Sequence, residues 1–513
     1  MEDSLKRRYF FKLSSNLIGF ALGFVTMGIV PRTLGPAGYG DYSFLTNFFQ
    51  RITGFLDTGV SQAFYNKISH RRQDYKIVLF YFGYLSLAST SILLFVIVSR
   101  SAASLKSWLW PEQQFIFIFA AAILSIAGWY QQALSKMADA YALTAKAEIA
   151  QIWQKIFSTL LIVLMFYFSC LNLGSYFIYN YAIILFLVLW WLDILRKSFG
   201  LLFESIKSDW HLTGMEIRGY TREFYSYCSP LFVLALGGLV LGIFDRWILQ
   251  RYAGSVQQGF FAFSYQLGAA CFIFTVSMTP LITRDFSISF AKKDMEGMAR
   301  AFRRYIPLFY AISAFLCCFL SVQAGNIISI FGGKSYAQAL LAIQIMAFYP
   351  IHQTYGQLSG AVFYATGQTR LYRNIGLLFG IIGIPLTIFL LNPTFGINAG
   401  AAGLAVKMVV LQFIAVNIQL YFNARLLKLP FLKYIAHQVL SIGVLFSLSL
   451  LCAILINIAT LNTLIRFLSE GILYALLVGI VVYFWPALFG MKSEDIFNLK
   501  KSARNYILKR SVK

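Results

Sequence analysis

Apolar segments of some twenty residues follow one another along almost the whole chain, cut by short stretches carrying Gly, Pro, Asn or clustered charge. A helix needs about 20 apolar residues to cross the hydrocarbon core of a bilayer. Inside lipid, a helix also satisfies its own backbone groups. The cuts place spans near 13–33, 40–65, 77–99, 113–135, 147–169, 174–195, 225–249, 256–282, 305–325, 337–365, 371–391, 398–422, 434–456 and 467–489. The expected fold class is therefore all-α, a polytopic membrane protein of about fourteen transmembrane helices. Of 513 residues, 59% are hydrophobic and 12% charged, too little polar surface to cover a water-soluble fold.

The net charge of +23 raises the question of nucleic acid. Binding nucleic acid calls for a basic face on a soluble module, whereas these basic residues lie between apolar runs, so no nucleic-acid partner is expected. With the N-terminus inside, 33 of the 43 Lys and Arg fall in inner segments, and only Arg32, Arg100, Lys106, Arg251, Lys334 and Arg466 fall outside. Cytoplasmic loops are enriched in both residues, so an even number of spans with both termini cytoplasmic is expected. Lys6, Arg7, Arg8 and Lys12 precede the first apolar run, which reaches Val30 without a small-residue cleavage site. This reads as a retained helix rather than a signal peptide.

The longest loop, about Arg196 to Arg222, divides the chain. The expected organisation is an N-terminal six-helix lobe (1–200), a cytoplasmic linker (201–224), a second six-helix lobe (225–423), and two extra helices with a basic cytoplasmic tail (424–513). A short repeat supports two pseudo-symmetric lobes. Gly35 and Gly40 are followed by Tyr42, and Gly254 and Gly259 by Phe261, each set at the turn into the next span. Both turns fall on the outer side, as in parallel repeats about an axis along the membrane normal.

Charged groups within spans are costly and mark functional candidates. Those singled out are Arg51, Asp57, Lys155, Asp193, Asp245, Arg246 and Lys407. On that reckoning basic groups outnumber acidic ones by one, and a net-positive cavity suits a diphosphate. Structural pairing or snorkelling to an interface is the competing explanation, strongest for Lys155, Asp193, Asp245 and Arg246 near span ends. The polar stretch Tyr349-Pro350-Ile351-His352-Gln353-Thr354-Tyr355 is expected to line a cavity, with His352 and Gln353 contacting sugar hydroxyls or His352 handling protons. Hydrogen bonding between helices is the alternative.

Cys170, Cys228, Cys271, Cys317, Cys318 and Cys452 show no metal-ligand spacing. Gly333-Lys334-Ser335 ends like a phosphate-binding loop but has Ile328 where the first glycine belongs. No catalytic constellation, cofactor or metal is expected, and the chain is not read as an enzyme. A membrane-embedded glycosyltransferase or ligase would need a large outer loop or an acidic cluster.

Lys12-Leu-Ser-Ser-Asn16, then Pro31 through Gly35 and Gly40 to Ser43, resembles the opening of bacterial polysaccharide transporters, the O-antigen and capsule flippases. These belong to the multidrug/oligosaccharidyl-lipid/polysaccharide exporter superfamily. Asp245-Arg246 through Gly259, Phe331-Gly332 through Tyr336, Ala365 to Gln368, and Gly396 through Gly403 extend the resemblance over most of the chain. The resemblance implies two lobes around a cavity. It also implies alternating access and transfer of undecaprenyl-diphosphate-linked oligosaccharide from the cytoplasmic to the periplasmic leaflet of the bacterial inner membrane. Arg51 and Lys407, with Lys155, Arg246, His352 and Gln353, would hold diphosphate and sugars, and Asp57 or Asp245 would couple ion movement. The partners implied are the lipid-linked substrate, membrane lipid and a polysaccharide polymerase or assembly machinery.

Phe55 to Phe64 also resembles lipid II flippases, which carry arginines in the first helix, where this chain has none between Leu13 and Val30. A lipid II or teichoic-acid precursor flippase and a multidrug exporter are the alternatives. The latter expels cations, which a net-positive cavity disfavours.

Overall fold

The computed structural model describes residues 5–71, 74–198, 209–457, 462–492 and 494. Most of the first half of the expected linker and nearly all of the basic tail lie outside the described residues. Among those described there is no strand. Helices occupy the apolar segments, as expected of a chain whose backbone has no water to bond with.

The first helix, α1 (Leu5–Leu56), runs for 52 residues and breaks at Gly35. At 1.5 Å per residue an unbroken helix of that length would measure about 78 Å, more than twice a bilayer core, so the run holds two spans. After a turn at Asp57–Gly59 come α2 (Val60–His70), α3 (Tyr75–Ser101), α4 (Phe115–Ala140), α5 (Thr144–Tyr167) and α6 (Leu173–Ser198). A surface helix, α7 (Gly214–Cys228), leads into α8 (Phe232–Ala269), itself broken at Gly254. The remainder is α9 (Ile273–Ala291), α10 (Met295–Val322), α11 (Tyr349–Ala365), α12 (Thr369–Leu391), α13 (Gly400–Leu427), α14 (Phe431–Asn457) and α15 (Thr463–Phe484).

Among the described residues ten helices are long and apolar enough to cross a membrane, or eleven if the pair Ala235–Phe272 and Phe274–Ala291, bent by 48°, is one span. The expectation of about fourteen differs from ten because α1 merges two expected spans across its glycine. The seventh and eighth expected spans likewise form the bent α8–α9 pair. The tenth is divided into short pieces, Lys334–Ala339, Leu340–Met346 and α11. Asp57 is a further correction. It was placed within a span, but the helix ends at Leu56 and Asp57 sits in the turn, where Gly59 adopts φ 76°.

The chain forms two compact units, 1–259 and 260–513. The first has two apolar cores. One is built around Phe44, Phe49, Trp110 and Phe177, and the other around Phe64, Tyr81, Trp129 and Trp191. The core of the second gathers Phe286, Phe302, Tyr310, Tyr355 and Tyr474. Outward, Leu87, Val98, Ile116, Ile178 and Leu189 are exposed, the surface of a protein whose solvent is hydrocarbon. The protein is a multi-pass membrane protein. The surface helix α7 is tied by charge instead: Lys76 pairs with Glu216 at 2.6 Å, Lys67 with Glu223 at 2.5 Å, and Arg71 with Glu223 at 3.2 Å. Thr213 and Glu216 form a capping box at its start.

Candidate functional site

The second half of α1 and the first half of α8 run antiparallel along a seam inside the first unit. At one end the repeated glycines meet. Gly35 and Gly254 have φ/ψ of 67°/174° and 75°/−178°, a region nearly closed to residues with a Cβ. A Cβ on Gly40 would stand 1.9 Å from the Ser255 carbonyl oxygen, and one on Gly259 would stand 1.9 Å from that of Pro36. In the repeat register Ser255 is the counterpart of Pro36 and Gly259 of Gly40, so the contact is reciprocal, as a local two-fold requires. Farther along, Arg246 donates to Ser43 Oγ at 2.9 Å. Arg51 then lies across Gly242, and Phe55 packs against Phe232 with the rings tilted by 55° and their centroids 5.5 Å apart.

Arg51 is exposed and sits near the end of α1, five residues before the helix stops at Leu56, whereas the sequence places it midway along a span. Among the described residues no carboxylate pairs with it. Its room comes from Gly242, where a Cβ would lie 2.8 Å from Arg51 Nε. The same device serves two other cations. Lys155 Nζ would be 2.8 Å from a Cβ on Gly19, and Lys407 Cε 2.9 Å from one on Gly383. In these three cases a charged arm lies where the neighbouring helix has a glycine, a pairing that no local sequence pattern reveals.

The other candidates are placed as follows. Lys155 donates to the carbonyl and hydroxyl of Ser15, at 2.7 and 2.9 Å, on the first half of α1. Asp57 accepts from Trp129 Nε1 at 3.0 Å and from the backbone N–H and hydroxyl of Ser61. It thereby joins the end of α1 to α2 and α4. Asp193 pairs with Lys197 at 2.7 Å on an exposed turn of α6. Asp245 precedes Arg246 on α8. In the second unit, Lys407 lies on α13 against α12. His352 is buried between Phe413 and Tyr310, ring centroids 4.9 and 6.4 Å away, so it packs in the core of that unit. Gln353 is half-buried beside Tyr349.

The charge balance also changes. The expected spans also include the acids Asp41, Glu148 and Glu470 and the bases Arg32 and Arg373, so acids and bases balance and the excess of bases disappears. The acids are spent locally. Glu470, 1% exposed, pairs with Arg466 at 3.0 Å and accepts from Gln323, while Asp41 bonds Gln113 and Ser255. A cationic character therefore belongs to the Arg51–Gly242 stretch and not to the membrane region as a whole.

Among curated proteins none matches the chain in sequence. The fold is similar to that of an inward-facing multidrug resistance MATE transporter of the MOP superfamily, with TM-score 0.63 and 14% identity over 81% of this chain and 94% of that one. It is equally similar to the lipid II flippase MurJ in an inward closed conformation, with TM-score 0.63 and 15% identity over 93% and 98%. A MOP-superfamily transporter from Pyrococcus furiosus, described as having a binding pocket of reversed polarity, aligns with TM-score 0.52 and 14% identity over 81% and 94%. The model of a family described as polysaccharide biosynthesis protein matches residues 5–282, more than half of the chain, and the protein belongs to that family.

Proposed function

We propose that the protein flips an undecaprenyl-diphosphate-linked oligosaccharide, an O-antigen or capsular repeat unit, from the cytoplasmic to the periplasmic leaflet of the bacterial inner membrane, with both termini cytoplasmic. The observation that carries this reading is the exposed Arg51, which has no carboxylate partner among the described residues, in a chain of the polysaccharide biosynthesis family. A diphosphate head group entering a bilayer loses hydration, and a guanidinium restores part of it through charge-assisted, bidentate hydrogen bonds. Arg246 extends the same seam, and Lys407 is the second cation that this reading assigns to the substrate. Lobes 1–200 and 225–423 would rock about the linker to alternate access. Asp245, next to Arg246 on α8, is a better candidate for coupling an ion than Asp57, whose oxygens hold a turn together.

A lipid II flippase is the second reading, favoured by the fuller overlap with MurJ, 93% of this chain against 81% for the MATE transporter. Deletion of the gene tests both. Loss of surface polysaccharide in viable cells, restored by the wild-type gene and not by Arg51→Ala or Lys407→Ala, supports the first. Lysis on depletion supports the second. Normal polymer and growth with both variants overturns diphosphate binding at these residues.

A further inference from the structure

In the second unit, α9 and α10 are joined by a short turn, and at that end they enclose a cleft of about 420 Å3. Its walls include Asp285, Ile288 and Ser289 on α9 and Arg300, Arg304 and Tyr305 on α10. The two arginines are four residues apart, so they project from one helix face with Cβ atoms about 5–6 Å apart. Most of their donors are unspent. Arg304 is exposed and has no ion pair or hydrogen bond among the described residues. Arg300 meets Asp294 only at 3.6 Å, beyond hydrogen-bond distance. Arg303 is different, since it pairs with Glu296. Against Asp285, the two arginines leave the cleft with one net positive charge. The cleft also stands where a bilayer turns polar. α10 has 28 residues and is about 42 Å long, the thickness of a bilayer with its head groups, about 40–45 Å. Residues 305–322 carry no charge, which leaves Arg300 and Arg304 in the head-group layer. From the cleft towards the hydrocarbon, α9 keeps an open apolar strip. Leu281 lies seven residues from Ile288, on the same helix face, and the two are 42% and 40% exposed.

We propose that this cleft binds the phosphate of an anionic phospholipid. Arg300 and Arg304 donate to the phosphate oxygens, Ser289 and Tyr305 donate to phosphate or glycerol oxygens, and one acyl chain lies over Ile288 and Leu281. Guanidinium groups hold phosphate through short, charge-assisted hydrogen bonds, and a phosphodiester brings the single negative charge that the cleft lacks. Basic pockets between spanning helices suit lipid head groups for this reason. The apolar strip favours a lipid over a soluble phosphate, which has nothing to lay on it. In the orientation proposed above, the lipid belongs to the cytoplasmic leaflet. The site is independent of which lipid is carried across.

The test is native mass spectrometry of the full-length protein in detergent, titrated with dioleoylphosphatidylglycerol or dioleoylphosphatidylcholine, which share acyl chains and differ in net charge. Wild type should take up its first phosphatidylglycerol at a concentration about tenfold or more below that needed for phosphatidylcholine. Arg300→Gln and Arg304→Gln should each weaken that first binding by about tenfold or more, the loss expected on removing a charge-assisted hydrogen bond. Arg303→Gln, next in sequence but paired with Glu296, should leave it unchanged. Asp285→Asn should tighten it, a gain that damage to the fold does not mimic. Equal uptake of the two lipids by wild type, or equal losses in Arg303→Gln and Arg304→Gln, overturns the proposal. So does displacement of phosphatidylglycerol by an equal concentration of glycerol 3-phosphate, which would make the ligand a free phosphate.

Discussion

Arg51 lies across Gly242, its Nε where a Cβ on that glycine would come within 2.8 Å. The glycine is the reason an arginine fits against the neighbouring helix in this seam. Gly242→Leu should therefore displace the guanidinium without touching its charge. Forfeiting a charge-assisted hydrogen bond of about 1.5–3 kcal/mol corresponds to roughly a ten- to hundredfold loss in substrate affinity. Surface-polysaccharide output should fall as is expected of Arg51→Ala, with membrane insertion measured by immunoblot unchanged. Full output from Gly242→Leu would separate the glycine from the site.

The reciprocal contact of Gly40 and Gly259 makes a second prediction. An alanine at either position places a methyl 1.9 Å from a backbone carbonyl oxygen, which no rotamer change relieves. Such overpacking costs about 3 kcal/mol, and both substitutions should lower the midpoint of thermal unfolding in detergent by similar amounts. Gly38→Ala, where the added Cβ meets only Leu34 at 3.6 Å, is the control and should be close to neutral.

Glu470 and Arg466 form a third test. Glu470 is buried and Arg466 partly exposed, so Arg466→Ala leaves a buried carboxylate without its cation. Breaking a buried pair from one side costs about 3–5 kcal/mol, discounted here because Gln323 still donates to Glu470. Arg466→Ala should destabilise more than the double variant Arg466→Ala/Glu470→Gln, measured by thermal unfolding.

The docking of α7 should respond to acid and salt. The Lys76 ammonium and the hydrogen bonds from Thr213 hold the Glu216 carboxyl down at about 2, from an ordinary value of 4.5. The stabilisation is fully present above about pH 4.5 and is lost as pH falls through about 2. High salt should screen it as well, since both side chains are partly exposed. Limited proteolysis of the 209–228 segment should accelerate at pH 3 relative to pH 7, and Glu216→Gln should show faster cleavage at pH 7 and a smaller further rise at pH 3, the part that belongs to the Glu223 pairs with Lys67 and Arg71.

How much of this was legible in the sequence varies by residue. The apolar runs gave the helices, and the glycine spacing marked the two kinks, because only glycine tolerates the backbone angles at Gly35 and Gly254. Asp57 was misplaced since a turn of three residues inside a long apolar segment leaves hydropathy almost unchanged. His352 looked like a cavity residue because its neighbours are polar, yet polarity along a helix does not say which face is buried. Cation–glycine pairing was invisible for a different reason. Gly242 and Arg51 are nearly two hundred residues apart, and no local pattern joins them. Asp41 and Glu470 were in plain view, but their partners come from other helices.

The central claim is that Arg51 recognises a lipid diphosphate in transit. The direct measurement is the rate at which a fluorescent undecaprenyl-diphosphate oligosaccharide crosses proteoliposomes containing the wild type, Arg51→Lys or Arg51→Ala. Wild type should translocate it, Arg51→Lys should retain part of the rate because charge persists without the planar fork, and Arg51→Ala should fall to the level of empty vesicles. Equal rates in wild type and Arg51→Ala would contradict the account.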